Sequence, residues 1–163
     1  MGPVDATIRA GSEADVEAVA AIYDVEVMGG HATFETEPSD RDVWWHKLTG
    51  QDPFLVAEVG GEVVGFAYAY PFRPRAAYHR TRETSVYLAP SGQGHGLGTR
   101  MYAELLTRLR VDGVHTVIAV IAQPNDASMR LHEKLGFEVT GTLREVGDKF
   151  DRLIDIALLQ LML

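Results

Sequence analysis

Gln93-Gly94-His95-Gly96-Leu97-Gly98-Thr99-Arg100 is the stretch on which the reading of this chain turns. It follows an apolar, strand-like segment (Ser85, Val86, Tyr87, Leu88) and opens a long amphipathic helical pattern. The first N–H groups of a helix lack internal partners, and the macrodipole makes that end electropositive. Glycines at 94, 96 and 98 bare the backbone there, which makes a cradle for phosphate. A nucleotide-hydrolase loop would need Gly-Lys-Ser/Thr, because lysine reaches the phosphates and the hydroxyl holds magnesium. Gly98-Thr99-Arg100 does not supply it. A dinucleotide fingerprint needs G-x-G-x-x-G, but the third position falls on Thr99 counted from Gly94 and on Met101 counted from Gly96. A third pattern, Gln/Arg-x-x-Gly-x-Gly/Ala, is met in register by Gln93, Gly96 and Gly98. A glycine-rich turn with no ligand is the alternative.

Outward from this loop, hydrophobic periodicity predicts the remaining elements. Val4 to Ala10 reads as an opening strand. Ser12 with Asp15 forms a capping box for a helix whose apolar stripe is Val16, Val19, Ala20, Tyr23 and Val27, ended by Gly29-Gly30. Ser39 caps a second helix carrying Val43, Trp44 and Leu48. Phe54 to Val59 and Glu62 to Tyr70 are strands joined at Gly60-Gly61, a hairpin signal. After a Pro/Arg-rich connection (71–82) comes the strand around Val86. The central helix places Leu97, Met101, Leu105 and Leu109 on one face, with a Glu104–Arg108 pair opposite, and stops at Gly113. Val114 to Ala122 is a buried strand. Asn125 caps a helix with Leu131 and Leu135 inside and Gly136 at its end; Phe137 to Val146 and Leu153 to Leu163 are final strands. The order β-α-α-β-β-β-α-β-α-β-β, with no linker or repeat, predicts one mixed α/β domain over residues 1–163.

Composition narrows the function. The chain has 163 residues, 46% hydrophobic and 23% charged, ordinary for a soluble globular protein. With no cysteine there is no disulfide, thiolate metal site or cysteine nucleophile. The histidines at 31, 46, 79, 95, 115 and 132 lack metal-binding spacing, so no metal is expected. A net charge of -8 argues against nucleic acid as partner, so any anionic ligand must be held by local features. The absence of a long apolar run or a signal-peptide pattern makes the expected location cytoplasmic, away from membranes.

The loop pattern is similar to the pyrophosphate loop for acetyl-CoA in the GNAT acetyltransferase superfamily, and the element order is the GNAT order. A second signature of that superfamily resembles Asn125-Asp126-Ala127-Ser128-Met129-Arg130-Leu131-His132-Glu133-Lys134-Leu135-Gly136-Phe137. Further segments resemble the phosphinothricin and methionine sulfoximine N-acetyltransferase group: Ile22-Tyr23, Ala32-Thr33-Phe34 with Pro38, Pro71-Phe72-Arg73-Pro74, Glu83-Thr84-Ser85-Val86-Tyr87, and Val146 to Phe150 with Asp155 and Gln160. Asp24, Arg82, Thr84 and Leu153 depart from the group's usual residues. The resemblance covers nearly the whole chain. It implies a central sheet of about seven strands flanked by about four helices, an acetyl-CoA cosubstrate, a small amino acid analogue as acceptor, and a homodimer.

Site roles follow from the resemblance and from the chemistry. An amine of pKa about 9–10 is mostly protonated at neutral pH, so a base must take its proton. Glu83 is the candidate, its alternative being a surface pair with Arg80 or Arg82. A backbone N–H within Val86-Tyr87-Leu88, exposed by a bulge or splay, would meet the oxyanion. Gln93, Gly94, His95, Gly96, Leu97, Gly98 and Thr99 would hold the pyrophosphate. Asn125 and Ser128 would serve the pantetheine side, Asn125 also as a helix cap. His132 stands where many relatives place a proton-donating tyrosine, with a purely packing role as its alternative and Tyr87 as a substitute. Arg73, Arg75, Arg80 and Arg82 with His79 concentrate positive charge suited to carboxylate or phosphinate. Phe34, Glu35 and Lys149 would line the same cleft, Lys149 across a dimer contact; Trp44 and Trp45 would pack. Direct transfer in a ternary complex is expected. Other acceptors (another small amine or a protein N-terminus) and an inactive acetyl-CoA-binding module are the competing readings.

Overall fold

The computed structural model describes residues 4–163. Seven strands form one sheet in the order β1-β2-β3-β4-β5-β7-β6. They are β1 (Thr7–Ala10), β2 (Phe54–Val59), β3 (Glu62–Pro71), β4 (Thr81–Leu88), β5 (Thr116–Ala122), β6 (Glu138–Lys149) and β7 (Arg152–Met162). The helices are α1 (Val16–Gly29), α2 (Arg41–Thr49), α3 (Leu97–Val111) and α4 (Asp126–Lys134). The predicted order of elements therefore holds throughout. Among the described residues the opening strand is shorter than expected, beginning at Thr7. The cap of α2 is Asp40, which accepts from the Asp42 amide at 3.0 Å, in place of Ser39 one position earlier. Either side chain can cap, and the backbone geometry selects the aspartate.

Side chains alternate across the strands, and this gives the sheet two cores. On one face, Leu55, Ala57, Ala67 and Ala69 pack against Leu97, Met101, Leu105 and Leu109 of α3. Phe54, Val56, Phe66 and Tyr68 meet Val19, Ala20, Tyr23 and Val27 of α1 and Trp44 and Leu48 of α2 on the other. That double burial explains why β2 reads as an unbroken apolar run. Trp44 is buried, but Trp45 is 44% exposed and does not pack as predicted; its neighbour takes the inward position of the helix. In α4 the expected inward residues Leu131 and Leu135 are half-buried, while His132 is buried.

One irregularity positions the site. All pairs except β4–β5 are antiparallel. The parallel β4–β5 ladder covers only Thr81–Glu83 against Thr116–Ile118. Beyond Glu83 the strands separate, while β4 stays in unbroken register with β3 through Leu88. The exposed stretch of β4 is thus made by a splay and involves no bulge.

Candidate active site

The splay opens a cleft of about 760 Å³ between β4, β5, the N-terminal turn of α3 and α4. Its wall includes Val86, Tyr87, Leu88, Gln93, Gly94, Gly96, Leu97, Gly98 and Thr99. Asn125, Ser128 and His132 close the α4 side. His95, expected in the same loop, does not border the cleft.

Backbone alternation decides which β4 amides face the gap. The Ala89 amide donates to Val64 O of β3 at 2.9 Å. Counting back in steps of two, the N–H groups of Val86 and Leu88 point the opposite way, toward the absent partner strand. The Leu88 carbonyl lies on that side as well, since Gln93 Nε2 donates to it at 3.3 Å.

Glycine makes the loop possible. Gly94 and Gly96 have φ of 79° and 69°, a region that side-chain-bearing residues avoid. Gly96 is the N-cap of α3, so the chain enters the helix from a left-handed residue with no side-chain cap. The unsatisfied amides of the first turn are left for a ligand. A Cβ on Gly98 would stand 3.3 Å from Leu88 Cδ1, tightening the wall of the cleft. A bare, positively polarised turn beside two outward strand amides fits an extended ligand ending in a pyrophosphate.

Asn125 caps α4, accepting from the Ser128 amide at 3.2 Å. His132 Nδ1 lies 2.7 Å from Ser128 O, and a carbonyl only accepts, so Nδ1 carries the proton. Burial pushes the imidazole pKa below its usual value. The neutral ring, edge-on to Tyr102 and Phe137, therefore presents Nε2 as an acceptor. In this tautomer the ring is held by Ser128 and carries no proton at Nε2. Tyr102 in turn hydrogen-bonds Thr84 of β4, so α3, α4 and the splayed strand are tied together.

Glu83 lies on the α1/α2 face. It accepts from the Tyr70 hydroxyl at 2.7 Å and forms an ion pair with neither Arg80 nor Arg82. Arg82 instead binds Asp52 at 2.6 Å and the carbonyls of His79 and Thr81. Arg80 donates to Gly113 O. Arg73 lies over the Phe72 ring, and both Arg73 and Arg75 are exposed. Lys149 is buried and donates to the carbonyls of Glu26 and Thr33, fastening the loop after α1. Phe34 in that loop sits against Gly147, where a Cβ would come within 2.4 Å of its ring. Sequence reasoning missed Lys47, whose ammonium lies over the Tyr68 and Tyr70 rings on the side of Glu83. Its signal was a lone basic residue on the apolar side of a short helix.

A split parallel pair and a glycine-entered helix frame the cleft, and the half-buried Glu83 stands at the last rung of the ladder before it opens. The acetyltransferase (GNAT) family profile matches residues 19–137. A phosphinothricin N-acetyltransferase from Streptomyces coelicolor is 37% identical, over 96% of this chain and 95% of that one. An L-methionine sulfoximine/L-methionine sulfone acetyltransferase from Pseudomonas aeruginosa is also 37% identical, over 98% and 96%. The crystal structure of a phosphinothricin acetyltransferase from Sinorhizobium meliloti in complex with acetyl-CoA superposes with a TM-score of 0.93 at 37% identity, covering 97% of this chain and 88% of that one. The chain belongs to the GNAT acetyltransferase family and is an acetyl-CoA-dependent N-acetyltransferase.

Proposed function

We propose that this enzyme acetylates the amine of a small amino acid analogue of the phosphinothricin, methionine sulfoximine or methionine sulfone type, by direct attack in a ternary complex. The observation that carries this reading is the cleft itself. Its glycine turn and the Val86 and Leu88 amides lie on one side of β4, and Glu83 occupies the last β4–β5 rung, where the splay begins. Relatives bearing those activities match nearly the whole chain.

In this scheme acetyl-CoA supplies the activated acyl group. Gln93, Gly94, Gly96, Leu97, Gly98 and Thr99 hold its pyrophosphate, and Asn125 and Ser128 lie beside its pantetheine arm. Glu83, fixed by Tyr70, takes the proton of the acceptor amine directly or through water. The N–H of Val86 or Leu88 donates to the acyl oxygen as negative charge develops, a contribution of about 10²–10³ in rate in comparable acyl transfers. His132 fixes α4 against β4. A thiolate needs little acid assistance, since thiol pKa values lie near about 8.5. Arg73 and Arg75, exposed beside the acceptor side, serve the distal anionic group; Arg80 and Arg82 hold the connection that carries them, and Lys149 holds the loop bearing Phe34. The chain acts as a homodimer.

A thiol-release assay with acetyl-CoA tests the reading against phosphinothricin, methionine sulfoximine, methionine sulfone, ordinary amino acids and bulky amines. Turnover concentrated on the tetrahedral phosphorus and sulfur analogues is expected. Equal rates on bulky amines would overturn the acceptor class, and binding of acetyl-CoA without any turnover would favour an inactive module.

A further inference from the structure

Lys47 is a cation on the Glu83 side of the sheet that the mechanism above does not use. It projects from α2 and is half-buried. Its Nζ lies 4.7 Å from the Tyr68 ring centroid, 4.9 Å from that of Tyr70 and 5.7 Å from that of Trp44. Aromatic faces attract an ammonium but accept few of its hydrogen bonds. Lys47 makes no hydrogen bond and no ion pair within 4.0 Å among the described residues, although Glu83 and Glu35 both act on its charge. Burial lowers its pKa, which marks a cation that would gain from an anionic partner.

Tyr70 places this cation relative to the base. Its ring lies under Lys47 while its hydroxyl donates to Glu83 Oε1 at 2.7 Å. An ammonium over the ring face and a carboxylate at the hydroxyl are thus held by one phenol, close enough to interact and too far apart to pair. A zwitterion, with an amine and a carboxylate on the same carbon, has the complementary layout. Resting on the proposed acceptor class, we infer that Lys47 receives the α-carboxylate of a free amino acid while Glu83 receives its amine. Lys47 then determines specificity: a protein N-terminus has its carboxyl in a peptide bond and offers no anion there.

The test compares wild type, Lys47→Met and Lys47→Arg on methionine sulfone and on the amine left when its carboxylate is removed. Lys47→Met should raise KM for methionine sulfone about 10- to 100-fold, the loss of a charge-assisted hydrogen bond. Its kcat should change little, and kcat/KM for the decarboxylated amine should stay within about threefold. Lys47→Arg should recover much of the loss. The deaminated acid, which keeps only the carboxylate, should inhibit wild type competitively and Lys47→Met about 10-fold more weakly or worse. Equal losses on both substrates would overturn the inference, placing Lys47 behind Glu83 or in the fold, and so would no loss on either. A wild type active on amines but on no free amino acid would sink the acceptor class as well. Wild-type turnover of methionine sulfone with an unchanged Lys47→Met ratio would sink this inference alone.

Discussion

At the level of single residues, the proposed chemistry rests on Glu83 and on what surrounds it. Replacing it with Gln keeps the Tyr70 hydrogen bond but removes the basic oxygen, so kcat should fall about 10²- to 10³-fold with KM for acetyl-CoA unchanged. Steady-state kinetics on methionine sulfone reads this directly. His132→Gln should cost less than about 10-fold in kcat, since a neutral Nδ1–H imidazole has no proton to give at Nε2. A loss of 10² or more would restore the acid role. The replacement also separates stability from catalysis. Burial depresses the folded pKa of His132, so its contribution to stability is intact above the unfolded value of about 6.5 and is lost as pH falls through the folded value. Wild type should therefore lose more Tm than His132→Gln between pH 7.5 and 5.5.

In the proposed scheme the elements carry the cofactor. Gly96→Ala forces a side-chain-bearing residue into a left-handed N-cap, at about 1–2 kcal/mol, and disturbs the turn offered to pyrophosphate. KM for acetyl-CoA should rise while KM for the acceptor stays put. Asn125→Ala removes the α4 cap, at about 1 kcal/mol, or roughly 2–4 °C in Tm for a chain of this size. Most elements were legible from the sequence because their signals are local: three- and four-residue apolar spacing in α1 and α3, Gly60-Gly61 between β2 and β3, Gly113 and Gly136 after helices. The acceptor side was less legible. Nothing local in the sequence shows that Arg82 is occupied by Asp52, that Lys149 turns to backbone carbonyls, or that Lys47 reaches across to Tyr70. Each depends on residues 30 or more positions away in the chain for Arg82 and Lys149, and on strand facing for Lys47. In α4, period alone could not rank Leu131 and Leu135 against His132, because the stripe is narrow and the histidine meets two rings.

Considered as a whole, the molecule is anchored at one end by charge. Arg9 binds Asp15 at 2.8 Å and Glu58 at 3.1 Å, joining β1, the start of α1 and β2. The Arg9 hydrogen bonds hold the Asp15 carboxyl below the usual range. That stabilisation is complete above an unfolded pKa of about 3.9 and is lost as pH falls through the lower folded value. Acid unfolding of Asp15→Asn should accordingly begin from a lower plateau and be less steep than that of wild type. At the opposite edge, the β6–β7 hairpin exposes Val139, Leu143, Val146, Phe150 and Leu153, the apolar side chains that the proposed homodimer would cover. Light scattering should give twice the monomer mass, and Leu153→Lys should lower it. Between these ends, the two halves of the sheet are stitched by only the few rungs of the β4–β5 ladder. A ligand lodged along this seam would act as its missing stitches. Saturating acetyl-CoA should then slow deuterium uptake at Val86 and Leu88 and stiffen the sheet from one edge to the other.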